Sequence, residues 1–370
     1  MKLDKNQQVF LALLRAGLWE KEVRCPQLCE VDHKAVFALA QEQSVVGLVA
    51  AGLEHLVDAS VPREVSMKYM VAVLQLEKRN HAMNAFIGTL FKNLDIAGIH
   101  PLLVKGQGVA QCYDRPMWRA AGDVDLLIDY PHYGEAREFL LKNADSADVE
   151  IDEMVHQAAL FGPWDVELHG SLHGIWSPKV DMALDALQKE CFENKQFREW
   201  DNNGTIINLP GMEYDIIFVF THILQHFFRG GIGLRQICDL SRLLWRYHKE
   251  IDKPVLEERL RCMGIMSEWK VFAALCVLYL GLPEESMPLY SRSGIWGKKA
   301  KRLLILLLER RLKGFAPDSE SRSINERKLI SLKQHTGDMI RQFLIFPLDS
   351  VKVWLRTVRN GVAGLLSSDL

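Results

Sequence analysis

HPLLVKGQGVAQCYDRPMWRAAGDVDLLIDY, residues 100–130, is the stretch on which the fold turns. An apolar run, Leu102-Leu103-Val104, breaks at Lys105-Gly106, passes through a short helix-like segment and ends in Asp123-Val124-Asp125 inside a second apolar run. The order is strand, glycine turn, helix, strand. Successive side chains on a strand point to opposite faces, so Asp123 and Asp125 project together while Val124, Leu126 and Ile128 enter a core. Two carboxylates on one face repel each other unless a cation sits between them. A hard divalent ion such as Mg²⁺, which takes carboxylate oxygens, water and phosphate, is the natural occupant. Lys105-Gly106 stands at a strand-to-helix junction, where backbone N–H groups and one ammonium would meet a phosphate. A turn glycine beside a surface lysine is the plain alternative.

Working outward, Trp164-Asp165-Val166-Glu167-Leu168-His169 reads as another strand. With Val166 and Leu168 inward, Glu167 shares the opposite face with Asp165 and His169 and offers a third carboxylate. Gln157 to Leu160 precedes it as a strand, joined through Phe161-Gly162-Pro163, and Val149 to Ile151 reads as one more. A helix is expected from His132 to Lys142. Asn202-Asn203-Gly204, between Phe197–Trp200 and Thr205–Leu209, marks a hairpin. The middle of the chain is therefore a mixed sheet with helices, and the fold class is α+β.

The flanks are helical. Apolar residues recur at three- and four-residue spacing from Val9 to Leu14, Val36 to Ala40 and Val65 to Leu94, with Pro62 and Glu64 at a helix start. His33, His55 and His81 read as surface or capping residues. From Met212 the helical pattern returns, and His222 and His226 fall one turn apart on one face. That is the spacing of a zinc pair, but the glutamate of the metalloprotease signature is missing, so structural or phosphate-contacting roles fit better. Breaks are expected at Gly281-Leu282-Pro283 and at Gly314–Asp318.

With 48% hydrophobic and 25% charged residues among 370, the chain is not of the disordered class. Seven irregularly spaced cysteines indicate reduced thiols, not a disulfide framework, and Cys25 and Cys29 read as packing groups. The longest apolar run, Val271 to Leu282, is too short to span a bilayer. A cytoplasmic location is expected. Residues 290–370 hold 16 Lys and Arg against 7 Asp and Glu, a balance of +9, which leaves −11 on residues 1–289. An anionic partner for this basic end is one expectation. The apolar content of Leu303–Leu308 and Phe343–Leu348 points instead to packing into the body.

The ordered pattern Lys105-Gly106, Arg119, Gly122-Asp123-Val124-Asp125-Leu126-Leu127-Ile128 and Val166-Glu167-Leu168-His169 resembles the uncharacterised bacterial nucleotidyltransferase family of the DNA polymerase β-like superfamily. The resemblance covers roughly residues 35–250, with Lys105-Gly106 in place of the superfamily's usual Gly-Ser or Gly-Gly pair. It implies a small mixed nucleotidyltransferase-type sheet, a catalytic core over 96–210, and flanking helical regions at 1–95 and 211–370. The implied activity moves an NMP from an NTP, ATP among them, to an acceptor hydroxyl with release of pyrophosphate. Asp123, Asp125 and Glu167 would hold Mg²⁺, or Mn²⁺ in its place, with Glu167 also near the acceptor proton. Lys105, Gly106 and Arg119 would grip the triphosphate. The helix of His222 and His226, followed by Leu234-Arg235-Gln236-Ile237-Cys238-Asp239-Leu240, would border the nucleotide cleft. The acceptor stays open among a small molecule, a sugar, a protein and an RNA end. Two other readings stand beside this one: a degenerate protein that binds nucleotide or partner without turnover, and an RNA-modifying transferase.

Overall fold

The Asp4 carboxylate accepts a hydrogen bond from the Gln7 backbone N–H while the Gln7 side-chain oxygen accepts one from the Asp4 backbone N–H, and this capping box opens the first helix, α1 (Lys5–Trp19). In the computed structural model, which describes residues 2–148, 156–174, 177–229, 231–309, 333 and 336–366, α2 (His33–Glu42) and α3 (Val46–Glu54) follow. A 34-residue α4 (Arg63–Ile96) then starts behind Pro62. The first and third helices touch at glycines. A Cβ on Gly17 would stand 1.8 Å from the Leu48 carbonyl oxygen, and one on Gly52 would stand 2.0 Å from that of Leu13.

The decisive stretch folds in the expected order: β1 (Leu102–Val104), a five-residue α5 (Gly106–Ala110), an extended loop, and β2 (Val124–Leu127). After it come α6 (Tyr133–Asn143), β3 (Ser146–Ala147), β4 (His156–Phe161) and β5 (Trp164–His169). Residues 149–151, expected as a strand, lie outside the described residues. Among the described residues five strands form one sheet in the order β1-β2-β5-β4-β3. The β2–β5 pair is parallel and its neighbours are antiparallel, so the sheet is mixed and the α+β class holds.

One face of the sheet is apolar. Val124, Leu126, Ile128, Val166 and Leu168 pack there against Met83, Ile87, Leu90 and Leu94 of α4 and Ala136 and Leu140 of α6. Beyond β5, α7 (Pro178–Glu193) sends buried Gln188 to donate to the carbonyls of Ile128 and Gly170, which ties the ends of β2 and β5 together. A hairpin of β6 (Phe197–Asn202) and β7 (Thr205–Pro210) turns through Asn203 and Gly204, both at positive φ, as a two-residue turn of this type requires.

On the other side stand α8 (Met212–Arg229) and α9 (Leu234–Tyr247), followed by α10 (Lys253–Met263), α11 (Met266–Leu280), α12 (Gly294–Glu309) and α13 (Pro347–Leu366). Their apolar residues join α1–α3 and Leu102, Val104 and Leu127 of the sheet in one core. In the basic C-terminal part, Leu303, Leu304, Leu307, Leu308, Ile345 and Phe346 are buried in that core, while Phe343, Leu344 and Leu348 are exposed. The break expected at Gly314–Asp318 and the Cys29 side chain lie outside what is described, and Cys25 is buried.

The contact between α1 and α3 gives a direct test. Ala at a helix interior is favoured over Gly by about 1 kcal/mol. At Gly52, however, the added carbon meets backbone that has no room to turn aside, and overpacking of that kind costs about 1–3 kcal/mol or more. Gly52→Ala is expected to lower unfolding stability by about 2 kcal/mol in urea denaturation. A midpoint at or above that of the wild type would show that the helices do not approach this closely.

Candidate active site on the β2–β5 face

The register of two strands builds the site. Asp125 pairs with Glu167 across the parallel β2–β5 ladder, so their side chains rise from the same face, with Asp123 beside them just before β2. Carboxylate oxygens of Asp123, Asp125 and Glu167 all lie within 4.8 Å of one another. Alternation along β2 and β5 predicts this convergence, and the structure has it. Asp165, on the same face of β5, is exposed and stands outside the cluster.

Asp125 is the buried member, at 1% exposure. Its Oδ1 lies 2.7 Å from the Lys105 ammonium and 3.1 Å from His169 Nε2. Its Oδ2 is buried with no hydrogen-bond partner among the described residues. Burial works against the charge on Lys105, but Asp125, Asp123 and Glu167 outweigh it and raise the ammonium above its ordinary value. The Asp125 charge, then burial, lift Asp123 above the usual carboxylate range. Glu167 goes the other way, because hydrogen bonds from His156 and His169 hold it well below that range. His169 is raised: burial opposes its charge, and contacts with Asp125 and Glu167 overcome that. An orphaned buried oxygen within a convergent all-oxygen set is a good fit to a hard divalent cation.

The Lys105 ammonium sits against Asp125 at the edge of the cavity, and the helix behind it has only five residues, so a helix dipole adds little there. The Lys105 backbone sits at φ 56° and ψ −142°, and Gly106 follows at φ 42°. A side-chain-bearing residue in that region costs about 1–3 kcal/mol, a strain found most often where function holds it in place.

A cavity of about 150 Å³ opens beside the Asp pair. It is lined by Lys105, Gly106, Arg119, Asp123, Asp125, His222, His226 and Arg235, which brings every nucleotide-contact residue expected from the sequence to one wall. The loop before β2 is pinned by buried Asn80, whose amide donates to the carbonyls of Met117 and Arg119 and accepts from Gln107. Arg119 is buried and forks onto Asp239 of α9, Nε to Oδ1 at 3.0 Å and Nη2 to Oδ2 at 2.7 Å. Tyr113 donates to the same carboxylate at 2.7 Å. Nη1 of Arg119 is buried without a partner among the described residues. Arg235 donates to the Ala120 carbonyl at 3.0 Å, and burial, then Arg119, depress its guanidinium below the ordinary value.

His222 and His226 stack edge to face, 4.4 Å between ring centroids. Burial, with the Lys105 charge beside it, pushes both below their ordinary values, His222 far below. They are neutral at pH 7 and would meet a phosphate as hydrogen-bonding groups, not as cations. His156 is the residue that sequence reasoning did not name, and Asp239, named only as part of the stretch along the cleft, was not matched to Arg119. His156 is brought in by the β4–β5 register and Asp239 by a contact 120 residues away from Arg119.

The geometry describes a mixed α+β protein whose sheet gathers three carboxylates beside a cavity lined by Lys105, Arg119 and Arg235 together with Asp123, Asp125 and Asp239. The chain belongs to the family described as uncharacterised nucleotidyltransferases, whose model matches residues 30–281. No curated protein matches the chain. Among solved structures it is similar to an antigenic nucleotidyltransferase-like protein from Paracoccidioides brasiliensis. The two are 15% identical at a TM-score of 0.30, over 48% of this chain and 92% of that one.

The Arg119–Asp239 pair has a stability consequence. Removing one partner of a buried ion pair leaves the other charge stranded, at a cost of about 3–5 kcal/mol. Asp239→Ala is expected to lose stability in that range by denaturant unfolding. A loss below about 1 kcal/mol would mean that Arg119 does not depend on this partner.

Proposed function

We propose that the chain transfers a nucleoside monophosphate from an NTP to an acceptor hydroxyl. The observation that supports this most is the convergence of Asp123, Asp125 and Glu167 beside a cavity walled by Lys105, Arg119 and Arg235. Membership of a nucleotidyltransferase family agrees with it. In this reading residues 96–210 are the catalytic core, and 1–95 and 211–370 are helical regions that flank it.

Asp123, Asp125 and Glu167 would hold Mg²⁺ or Mn²⁺, which when bound supplies charge neutralisation and alignment for an in-line displacement at phosphorus. The acceptor hydroxyl loses its proton to solvent water, its oxygen forms the new bond to the α-phosphorus as the bond to the bridging oxygen breaks, and pyrophosphate leaves with that electron pair. The cavity is smaller than the roughly 300–1,000 Å³ of a site for a whole ligand, so it takes the phosphate end and leaves the nucleoside outside. Arg119 offers its free Nη1 from a guanidinium already fixed by Asp239, at little entropic cost. Half-buried Arg235 adds a second cation, while His222 and His226 orient phosphate oxygens by hydrogen bonds. Lys105 balances the carboxylates and turns to the triphosphate as they engage the metal. Gly106 is there for its φ of 42°, not for space, since a Cβ would meet only the Asp123 carbonyl oxygen, at 3.4 Å.

Glu167, held ionised by two imidazoles, is suited to gripping a cation and poorly suited to taking the acceptor proton. The +9 balance of residues 290–370 favours an anionic acceptor or partner at that end. One observation favours a second reading, binding without turnover: an ammonium already sits 2.7 Å from Asp125 and satisfies part of its charge.

Labelled NTPs with Mg²⁺ and a cell extract distinguish the two. Label from the α-phosphate is expected to move covalently to an acceptor, with pyrophosphate released. Asp125→Asn is expected to lower that rate at least a thousandfold while the far-ultraviolet circular dichroism stays unchanged. Nucleotide that is bound but never cleaved, with every NTP and with Mn²⁺ in place of Mg²⁺, would establish the second reading.

A further inference from the structure

The β4–β5 ladder puts His156 directly opposite His169, and Glu167 lies two residues before His169 on the same face. The two Nε2 atoms stand 3.4 and 3.5 Å from the same Glu167 oxygen, and one ligand atom from each of the three residues lies within 4.8 Å of the other two. None of the three lines the cavity of Lys105, Arg119 and Arg235. In strand order they sit on the β4 side of Asp125, whereas that cavity lies on the β1 side. All three are half-buried, so a ligand completing the shell can arrive from solvent.

Two imidazoles and one carboxylate make a donor set unlike the all-oxygen trio beside it. Mg²⁺ prefers oxygen, whereas imidazole nitrogen favours zinc and its first-row neighbours. A tetrahedral ion with bonds of about 2.0–2.1 Å holds its ligand atoms about 3.3–3.4 Å apart. Two of the three ligand pairs, at 3.4 and 3.5 Å, already stand close to that spacing, and the third lies within 4.8 Å. His169 Nε2 also touches Asp125, so the trio directly adjoins the carboxylate of the oxygen site.

We infer that His156, Glu167 and His169 form a second metal site, selective for Zn²⁺ or a similar borderline divalent ion, that shares Glu167 with the Asp123–Asp125 site. Three protein ligands leave one tetrahedral position open, the arrangement that lowers the pKa of a bound water or hydroxyl to about 7. The site rests on donor geometry and not on the transfer reading, and its test uses metal alone, so either can fail without the other.

The full chain, stripped with a chelator, is titrated with Zn²⁺ against a competing dye, and the loaded protein is measured by X-ray absorption at the zinc edge. One Zn²⁺ per chain is expected, with two imidazole nitrogens in its shell and no sulfur. His156→Gln is expected to weaken Zn²⁺ binding at least tenfold, while Asp123→Asn changes it less than threefold. Unchanged affinity in His156→Gln, a tenfold loss in Asp123→Asn, a shell of oxygen alone, or sulfur from a thiol such as exposed Cys262 would each overturn the site, as would no Zn²⁺ binding at all. The shell measured on the wild type decides the matter even where a variant misfolds.

Discussion

A carboxylate removed from water is costly unless something answers its charge, and Asp125 is that carboxylate here. One oxygen is shared by the Lys105 ammonium and the His169 imidazole, and the other is left over. Much of the surrounding structure follows from holding it there. The parallel β2–β5 pairing sets Glu167 alongside, Gln188 clamps the strand ends, and the strained Lys105-Gly106 turn aims an ammonium back at the strand. An ammonium satisfies one oxygen with one charge. A divalent cation would satisfy both oxygens and Asp123 and Glu167 with them.

Charge is graded across the sheet. On the β1 side lie Lys105, the buried guanidinium of Arg119 and the half-buried Arg235, interleaved with Asp123, Asp125 and Asp239, and two histidines whose charged form is opposed by burial and by Lys105. On the β4 side lie two imidazoles that share one glutamate. Arg119 is rigid because Asp239 and Tyr113 form a closed network with it, and Arg235 holds the neighbouring backbone. A wall fixed in advance in this way loses little entropy when an anion arrives. The same network ties the loop before β2 to α9, so the sheet and the C-terminal helices keep one geometry at the site.

Local patterns carried much of this. Alternation alone placed Asp123, Asp125 and Glu167 on one face, and Asn203-Gly204 announced its hairpin, because both depend on neighbours in sequence. Lys105 was harder, since a lysine before a glycine looks the same whether it caps a helix toward a phosphate or folds back onto a carboxylate. The structure shows the ammonium against Asp125, a contact between β2 and the turn after β1 that the local sequence does not encode. His156 belongs to the site through strand register, which leaves no periodic trace, and Asp239, visible in the sequence only as part of the stretch along the cleft, finds its partner in an arginine far away in the chain. The basic C-terminal part shows the limit of charge counting. Its net charge points to a partner, yet Leu303, Leu304, Ile345 and Phe346 bind it into the common core.

The most direct measurement is the anomalous difference density of a crystal of the protein soaked with Mn²⁺ and a non-hydrolysable NTP analogue. The account predicts a manganese peak within bonding distance of Asp123, Asp125 and Glu167 oxygens, with the analogue's phosphates against Arg119 and Arg235. Manganese bound elsewhere, or phosphates away from that wall with the Lys105–Asp125 pair intact, would contradict it.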